Sequence, residues 1–169
     1  MELLIPGLIL VGLMYYASTR IKRYTAAAFE AEVVETEEFI IDKPDGFLHV
    51  LNGDAAFAFE SYSKDFGTND ASNIRKGTAK LRVRRGISLR DAAKEISRTG
   101  KMSEDFNEVV DEHRYRMLVI KRDDGDAERT VSYKLAEKGG SVFEFEVSAL
   151  SEVSDEAWVA GFISGFRIR

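Results

Sequence analysis

The chain has 169 residues and a mass of 19.0 kDa, and 44% of its residues are hydrophobic, which suffices for one folded domain with a core. Its 24 basic and 29 acidic residues give a formal net charge of −5, which argues against a general polyanion-binding protein and predicts no nucleic-acid partner. The absence of cysteine excludes disulfides, thiolate nucleophiles and cysteine-ligated metal centres. The sequence contains no catalytic signature, and we predict no enzyme activity, no cofactor and no bound metal.

The first predicted element is an apolar segment, Leu3 to Ala17, in which no side chain is charged and eight are Leu, Ile or Val. Those eight contribute about −2 to −5 kcal/mol to membrane insertion. Extended to Thr19, the segment gives a helix of about 25 Å, slightly short of a hydrocarbon core of about 30 Å. We therefore predict that residues 3–19 span the lipid bilayer as a helix, with Tyr15 and Tyr16 at its interfacial end.

Two alternatives remain for this segment: a cleaved secretory signal, and a buried or partner-docking helix. A signal peptide carries its basic residues before the apolar stretch, whereas here Arg20, Lys22 and Arg23 follow it. These three membrane-flanking residues favour an uncleaved anchor and place the soluble body on the cytoplasmic side of an inner (cell) membrane, crossed once. A periplasmic body is the alternative.

The remainder of the chain predicts one soluble domain, so we divide the protein into an anchor with its basic flank at residues 1–24 and a domain at residues 25–169. Apolar and alternating runs predict strands from Val33 to Ile41, Phe47 to Leu51, Ala55 to Tyr62 and Ala79 to Val83. Lys43-Pro44-Asp45-Gly46 predicts a turn. The longest predicted loop runs from Lys64 to Gly77, where the apolar pattern lapses.

Two helices are predicted next, the first capped by Ser88 with Leu89, Ala92, Ala93 and Ile96 on one side, and the second from Ser103 to Asp111. Three extended runs then predict an antiparallel meander: Arg114 to Arg122, Arg129 to Ala136 and Ser141 to Leu150. Alternation in the last run predicts a dry face and a wet face that carries Glu144, Glu146 and Ser148. A final helix, Ser154 to Phe166, is predicted to lie on the sheet, with its Gly161-x3-Gly165 spacing allowing close approach. The fold class is α+β: an antiparallel sheet with a C-terminal three-stranded meander, packed helices and an N-terminal transmembrane helix.

The stretch from Phe39 to Phe47, FIIDKPDGF, resembles the "extended strand, Pro-x-Gly-aromatic" opening of the Mog1/PsbP-like α+β sandwich superfamily. The ending Gly165-Phe166-Arg167-Ile168 after a meander and a helix is similar to that superfamily's terminal piece, although Gly165 replaces a small polar residue and Phe47 the usual Trp. The resemblance covers residues 31–169. It implies a binding or assembly role, as an accessory subunit, chaperone or adaptor, and it brings no catalytic residues.

The most unusual cluster of charges is basic: Lys76, Lys80, Arg82, Arg84 and Arg85. In a strand, Lys80, Arg82 and Arg84 project from one face. We interpret them first as a solvated face balanced by acids, and as a hypothesis assign the five residues, with the loop from Lys64 to Gly77, to binding a protein partner or anionic lipid headgroups. The cluster contains no interleaved aromatic residue of the kind that binds single-stranded nucleic acid.

Other polar features have simpler interpretations. His49 and His113 lack a second ligand at metal-binding spacing, and the acidic stretch from Asp123 to Glu128 lacks the spacing of a calcium loop. Glu144 and Glu146 follow from alternation alone, although a pair of carboxylates with raised pKa in a pocket would indicate a hydrolase. The sequence thus predicts a membrane-anchored, non-catalytic binding or assembly protein. The alternatives are an accessory subunit of a larger membrane complex and a membrane-bound carboxylate-dependent hydrolase.

Overall fold

The computed structural model describes residues 4–169, with side chains from residue 11 onward except those of residues 24 and 70. Its first element is a helix, α1, from Leu4 to Ala27. Leu3, where the predicted bilayer span begins, lies outside the described residues. No helix within the described part of the chain is both long and apolar enough to cross a membrane, so the structure does not confirm the predicted transmembrane helix.

Ten strands and two further helices follow α1. The strands are β1 Glu32–Glu35, β2 Phe39–Lys43, β3 Phe47–His49, β4 Phe59–Ser63, β5 Gly77–Arg85, β6 Lys101–Val110, β7 His113–Asp123, β8 Glu128–Lys138, β9 Ser141–Leu150 and β10 Arg167–Ile168. The helices are α2 Leu89–Ile96 and α3 Ala157–Gly165. Single 3₁₀ turns lie at Asn69–Ala71 and Ser151–Val153.

The strands form two antiparallel sheets. Seven of them make a large sheet in the order β3-β4-β5-β9-β8-β7-β6, and three make a small sheet in the order β1-β2-β10. Helix α3 packs on the large sheet and also contacts β2, whereas α2 packs against β8. We call the two surfaces of the large sheet the α3 face and the α2 face. The predicted α+β class with its C-terminal meander, β7 to β9, is confirmed.

The main core lies on the α3 face, where aromatic side chains from β3, β4, β9 and α3 meet those of the small sheet. The ring of Phe162 lies 4.9 Å from that of Phe47 and 6.1 Å from that of Phe145. A Cβ added at Gly165 would lie 2.7 Å from the Cβ of Asp42, whereas one added at Gly161 would meet no atom within 4 Å, so the predicted close approach of the last helix is confirmed at Gly165 and not at Gly161. A second core on the α2 face packs Ala93 and Ile96 of α2 on side chains of β7 and β8. The predicted cap is also confirmed, since the amide of Asp91 donates to the Ser88 hydroxyl.

The predicted helix from Ser103 to Asp111 is wrong, because these residues belong to β6. Their apolar positions, Phe106, Val109 and Val110, mimic helical spacing, but the strand pairs with β7 from Lys101 to Val110. Ser103, the expected cap, lies at a β-bulge and donates instead to the Val119 carbonyl. Pairing with a long neighbouring strand has overridden the local pattern.

Three further predictions need correction. The single strand expected from Val33 to Ile41 is two antiparallel strands, β1 and β2, because Thr36 and Phe39 bond to each other and close a turn between them. The strand expected from Ala55 begins only at Phe59, because the amide of Ala56 donates to the Asp54 carboxylate and the amide of Phe57 to the Asp54 carbonyl, forming a turn. The face of β9 expected to be wet is largely covered, since Glu144 is 8% exposed and Ser148 is 3% exposed. Both side chains lie on the α2 face, alongside the second core.

Candidate partner-binding surface

The structure places three of the predicted basic residues together. Lys80, Arg82 and Arg84 alternate along β5 on the α2 face, while Leu81 between them is fully buried on the α3 face. Arg85 lies on the α3 side of the strand, next to a separate cavity of about 380 Å³. Lys76 precedes the strand, with its ammonium 3.6 Å from a carboxylate oxygen of Glu156. The five predicted residues therefore do not form one patch.

Acidic side chains from the neighbouring strands and from α2 face this basic row. The register sets Glu146 opposite Lys80 and Glu144 opposite Arg82. The Lys80 ammonium lies 3.0 Å from Glu60, and one guanidinium nitrogen of Arg84 lies 3.0 Å from Glu144 and 2.7 Å from Glu95. Lys80 and Arg84 are thus engaged within the protein, as expected for a face balanced by acids.

Arg84 has a structural part in this arrangement, because its guanidinium joins β5 to the nearly buried carboxylate of Glu144 on β9 and to the exposed carboxylate of Glu95 on α2. We expect Arg84→Glu to lower the free energy of unfolding by about 1–3 kcal/mol, since it leaves Glu144 unpaired beside a new negative charge. Arg82→Glu changes the same charge on the same face of β5 without breaking a hydrogen-bonded ion pair to a described residue, but it sets a carboxylate opposite Glu144, so we expect a smaller loss than for Arg84→Glu. Urea unfolding of both variants measures the difference, and equal stability would contradict the role assigned to Arg84.

Arg82 remains available for binding, and it lies beside an aromatic ring that sequence reasoning missed. The Arg82 guanidinium is 5.0 Å and the Lys80 ammonium 4.6 Å from the centroid of the Phe57 ring. The turn at Asp54 brings Phe57 over this face, whereas in the predicted strand from Ala55 to Tyr62 it would share the face of Phe59, which is buried in the core. The sequence signal for this turn is Asp54, because an Asp side chain often accepts a hydrogen bond from the backbone N–H two residues further along the chain.

These side chains surround a cavity of about 150 Å³ on the α2 face, which we call the Phe57 cleft. Its lining is Phe57, Lys80, Arg82, Tyr133, Glu144 and Glu146. The cleft thus offers an aromatic ring, an exposed guanidinium and two carboxylates close together. This combination could hold a single polar or charged side chain of a partner. The volume lies below the several hundred Å³ typical of a small-molecule site.

The electrostatics of the cleft bear on the hydrolase alternative. Burial raises the pKa of Glu144, and the guanidinium of Arg84 opposes this shift only in part. Burial also raises the pKa of Tyr133, an effect that the neighbouring Glu146 carboxylate increases. The Glu144 carboxylate is held by the Arg84 guanidinium, which leaves it poorly placed to act as a free acid or base.

The other polar residues singled out in the sequence occupy simple environments. His49 stacks against Phe59 at 4.9 Å between ring centroids, and its Nδ1 lies 3.8 Å from a carboxylate oxygen of Glu32. Asp124, in the acidic hairpin, is bonded by Arg122. Within residues that the structure describes, no three metal-ligating side chains cluster. Arg20, Lys22 and Arg23 lie exposed in the second half of α1.

No family model matches the chain, and no curated protein sequence matches it. Solved structures do match. The chain is similar to cyanobacterial PsbP (CyanoP) from Synechocystis, with a TM-score of 0.57 and 11% identity over 83% of this chain and 94% of that one. LpqN of Mycobacterium tuberculosis, described as involved in cell envelope biogenesis, matches with a TM-score of 0.56 and 11% identity over 82% of this chain and 90% of its own.

The Ran-binding protein Mog1p of Saccharomyces cerevisiae matches with a TM-score of 0.52 and 11% identity over 83% of this chain and 96% of that one. At such identities the likeness concerns the fold, because function resides in sites that differ between proteins of one fold. The matches agree with the resemblance seen from Phe39 to Phe47 and at the C-terminus. The chain has the Mog1/PsbP-like α+β fold.

Proposed function

We propose that the protein is a membrane-anchored, non-catalytic binding or assembly protein, an adaptor whose domain captures a protein partner next to the lipid bilayer. The observation that carries the proposal is the exposure of apolar side chains along α1. Tyr15 is 75% exposed, and Met14, Val11, Tyr16 and Leu13 are between 61% and 67% exposed. A contiguous apolar surface of this kind marks a site of contact with lipid or protein.

Lipid is the occupant that the sequence favours. Charged residues are absent from Leu3 to Ala17, and the first basic side chains, Arg20, Lys22 and Arg23, come directly after the apolar segment. Such residues reach into the headgroups and resist translocation. The proposal therefore places the domain in the cytoplasm, with the periplasm as the alternative that protease accessibility distinguishes.

Binding to a protein is supported by the Phe57 cleft and by the fold. The cleft offers Arg82 with an aromatic wall, and Lys80 and Arg84 beside it are already paired with acids. One structural neighbour with the same fold is described as a Ran-binding protein. Anchoring raises the local concentration of the domain at the membrane, so that a modest cleft suffices for useful occupancy.

The experiment uses the full chain expressed in cells. We expect it to stay in membranes washed with alkaline carbonate and, after solubilisation in mild detergent, to co-purify with a protein partner. Arg82→Glu should reduce recovery of that partner at least about fivefold, which is the loss expected from reversing one charge at a desolvated contact. Arg98→Glu makes the same charge change at an exposed site beyond α2 and serves as the matched control.

Two outcomes would overturn the proposal. Release of the protein by carbonate, or a mature chain that begins near Phe29, would contradict the proposed anchoring of the protein by α1. Equal recovery of the partner with Arg82→Glu and Arg98→Glu would show that the Phe57 cleft does not contact the partner. A partner recovered in strict stoichiometry with α1 packed on its helices would instead identify an accessory subunit of a larger complex.

A further inference from the structure

The outer edge of β6 is the longest unpaired strand edge in the domain. β6 ends the large sheet and has ten residues, whereas β3 at the other end has three. No strand in the described part of the chain pairs with the outer side of β6. Residues 101–109 are exposed. Such an edge presents unpaired N–H and C=O groups, which another extended chain can pair with.

Regular pairing is possible over the second part of β6. The bulge between Met102 and Glu104 interrupts the register with β7, and from Glu104 to Val110 the register is continuous. In an antiparallel ladder, alternate residues of an edge strand direct their backbone groups outward. The stretch from Glu104 to Val110 is therefore long enough to add one short strand.

The side chains on the α3 face of this stretch have a definite pattern. Glu104, Phe106 and Glu108 lie opposite Val119, Met117 and Tyr115 of β7, which places them on that face. Phe106 is 48% exposed next to Met117, which is buried. Glu108 is half-exposed and lies 3.8 Å from the Lys134 ammonium, whereas Glu104 pairs with no cation that the structure describes.

The α2 face of the same stretch has no free carboxylate. Asp105 accepts two hydrogen bonds from the Arg116 guanidinium, at 2.9 and 2.8 Å. This bidentate bond holds the pKa of Asp105 below its usual value. Asn107 and Val109 complete that side. The negative charge that a partner would meet is thus concentrated on the α3 face, on either side of Phe106.

We propose that the outer edge of β6 binds an extended segment of a partner protein as an added antiparallel strand, with the pattern basic-x-apolar-x-basic. The apolar side chain would pack on Phe106, and the two basic side chains would lie opposite Glu104 and Glu108. Such cross-strand pairs are the units that stabilise a sheet.

A second copy of the chain is the less suitable occupant. β6 carries one basic and three acidic residues, and Asp111 and Glu112 follow in the adjoining turn. Two copies of β6 would bring these acids together, and like charges facing one another across strands are destabilising. The charge of the edge therefore selects a basic segment and disfavours self-association.

The test uses the full chain in detergent and a fluorescein-labelled peptide, Thr-Lys-Thr-Val-Thr-Lys-Thr, with fluorescence polarisation as the readout. We expect this lysine peptide to bind at least about tenfold more tightly than the glutamate peptide Thr-Glu-Thr-Val-Thr-Glu-Thr. In the glutamate peptide each pair of opposite charges across the strands is replaced by a pair of like charges. The double variant Glu104→Lys/Glu108→Lys should weaken binding of the lysine peptide by a similar factor. Glu37→Lys/Glu38→Lys, in the exposed turn between β1 and β2, is the matched control and should not.

Backbone pairing is tested by two N-methylated forms of the lysine peptide, one methylated at its second, fourth and sixth residues and the other at its third and fifth. Alternate N–H groups point to the same edge of a strand, so one form should lose binding and the other retain it. Equal binding of both forms overturns strand addition. The proposed occupant is overturned if the lysine peptide does not bind, or if the lysine and glutamate peptides bind with equal affinity. It is also overturned if the protein forms dimers that the double variant Glu104→Lys/Glu108→Lys abolishes.

Discussion

Phe162→Ala is expected to lower the free energy of unfolding by about 3–5 kcal/mol, the usual loss when a large aromatic side chain is removed from a core. Phe162 is fully buried and joins α3 to the α3 face of the sheet. Its ring lies within 6.5 Å, between centroids, of the rings of Phe47, Phe59, Phe145 and Trp158. Several aromatic contacts are therefore lost together with the buried area.

The matched control is Phe106→Ala, which makes the same chemical change at a residue that is 48% exposed on β6. We expect its effect to stay below about 1 kcal/mol, because little area is returned to water. Urea unfolding of the three proteins gives both differences. A loss below about 1 kcal/mol for Phe162→Ala would mean that α3 contributes little to the core, contrary to the packing described above.

The parts of the two cores that the sequence predicts are those with a periodic pattern of apolar residues. In β9 the residues Phe143, Phe145 and Val147 repeat with the period of a strand, and in α2 Ala92, Ala93 and Ile96 repeat with that of a helix. These patterns depend on one buried face each, and the structure buries those faces. The final helix was likewise predictable from Trp158 and Phe162, although it begins at Ala157 and not at Ser154.

β6 could not be predicted in this way because its residues are exposed on both sides. With no buried face, Phe106, Val109 and Val110 carry no period of two, and only the pairing with β7 reveals the strand. For the same reason the sequence does not predict strand addition at the outer edge of β6, since a pattern of burial carries no information about an edge whose partner is another chain.

The candidate site was predictable only in part. Alternation alone placed Lys80, Arg82 and Arg84 on one face, but the acids that pair with Lys80 and Arg84 come from β4, β9 and α2, which are separate elements of the chain. Register is a property of the folded sheet, so the single-strand pattern could not tell a free cation from a paired one. The turn at Asp54 that brings in Phe57 is a local signal, which competed with the alternation of Phe57 and Phe59.

The double variant Val11→Asp/Leu13→Asp is expected to move the protein from the membrane fraction to the soluble fraction. Each Asp near the middle of an apolar segment opposes insertion by about 2.5–3.5 kcal/mol, so that two of them exceed the −2 to −5 kcal/mol or so that the eight aliphatic residues contribute. Ala26→Asp/Ala28→Asp adds the same charge beyond the basic flank and should leave the protein in membranes.

Folding of the domain should be the same in both variants, because Val11 and Leu13 are more than 60% exposed on α1 and therefore contribute little to the core. Near-ultraviolet circular dichroism and the melting temperature check this, so that a change of fraction can be ascribed to α1 alone. If the Val11→Asp/Leu13→Asp protein stays with unwashed membranes and alkaline carbonate then releases it, α1 is held by another protein and not by lipid. The proposed anchor would then be replaced by a docking helix, and the three basic residues that follow it would lose their assigned part in setting the side of the membrane on which the domain lies.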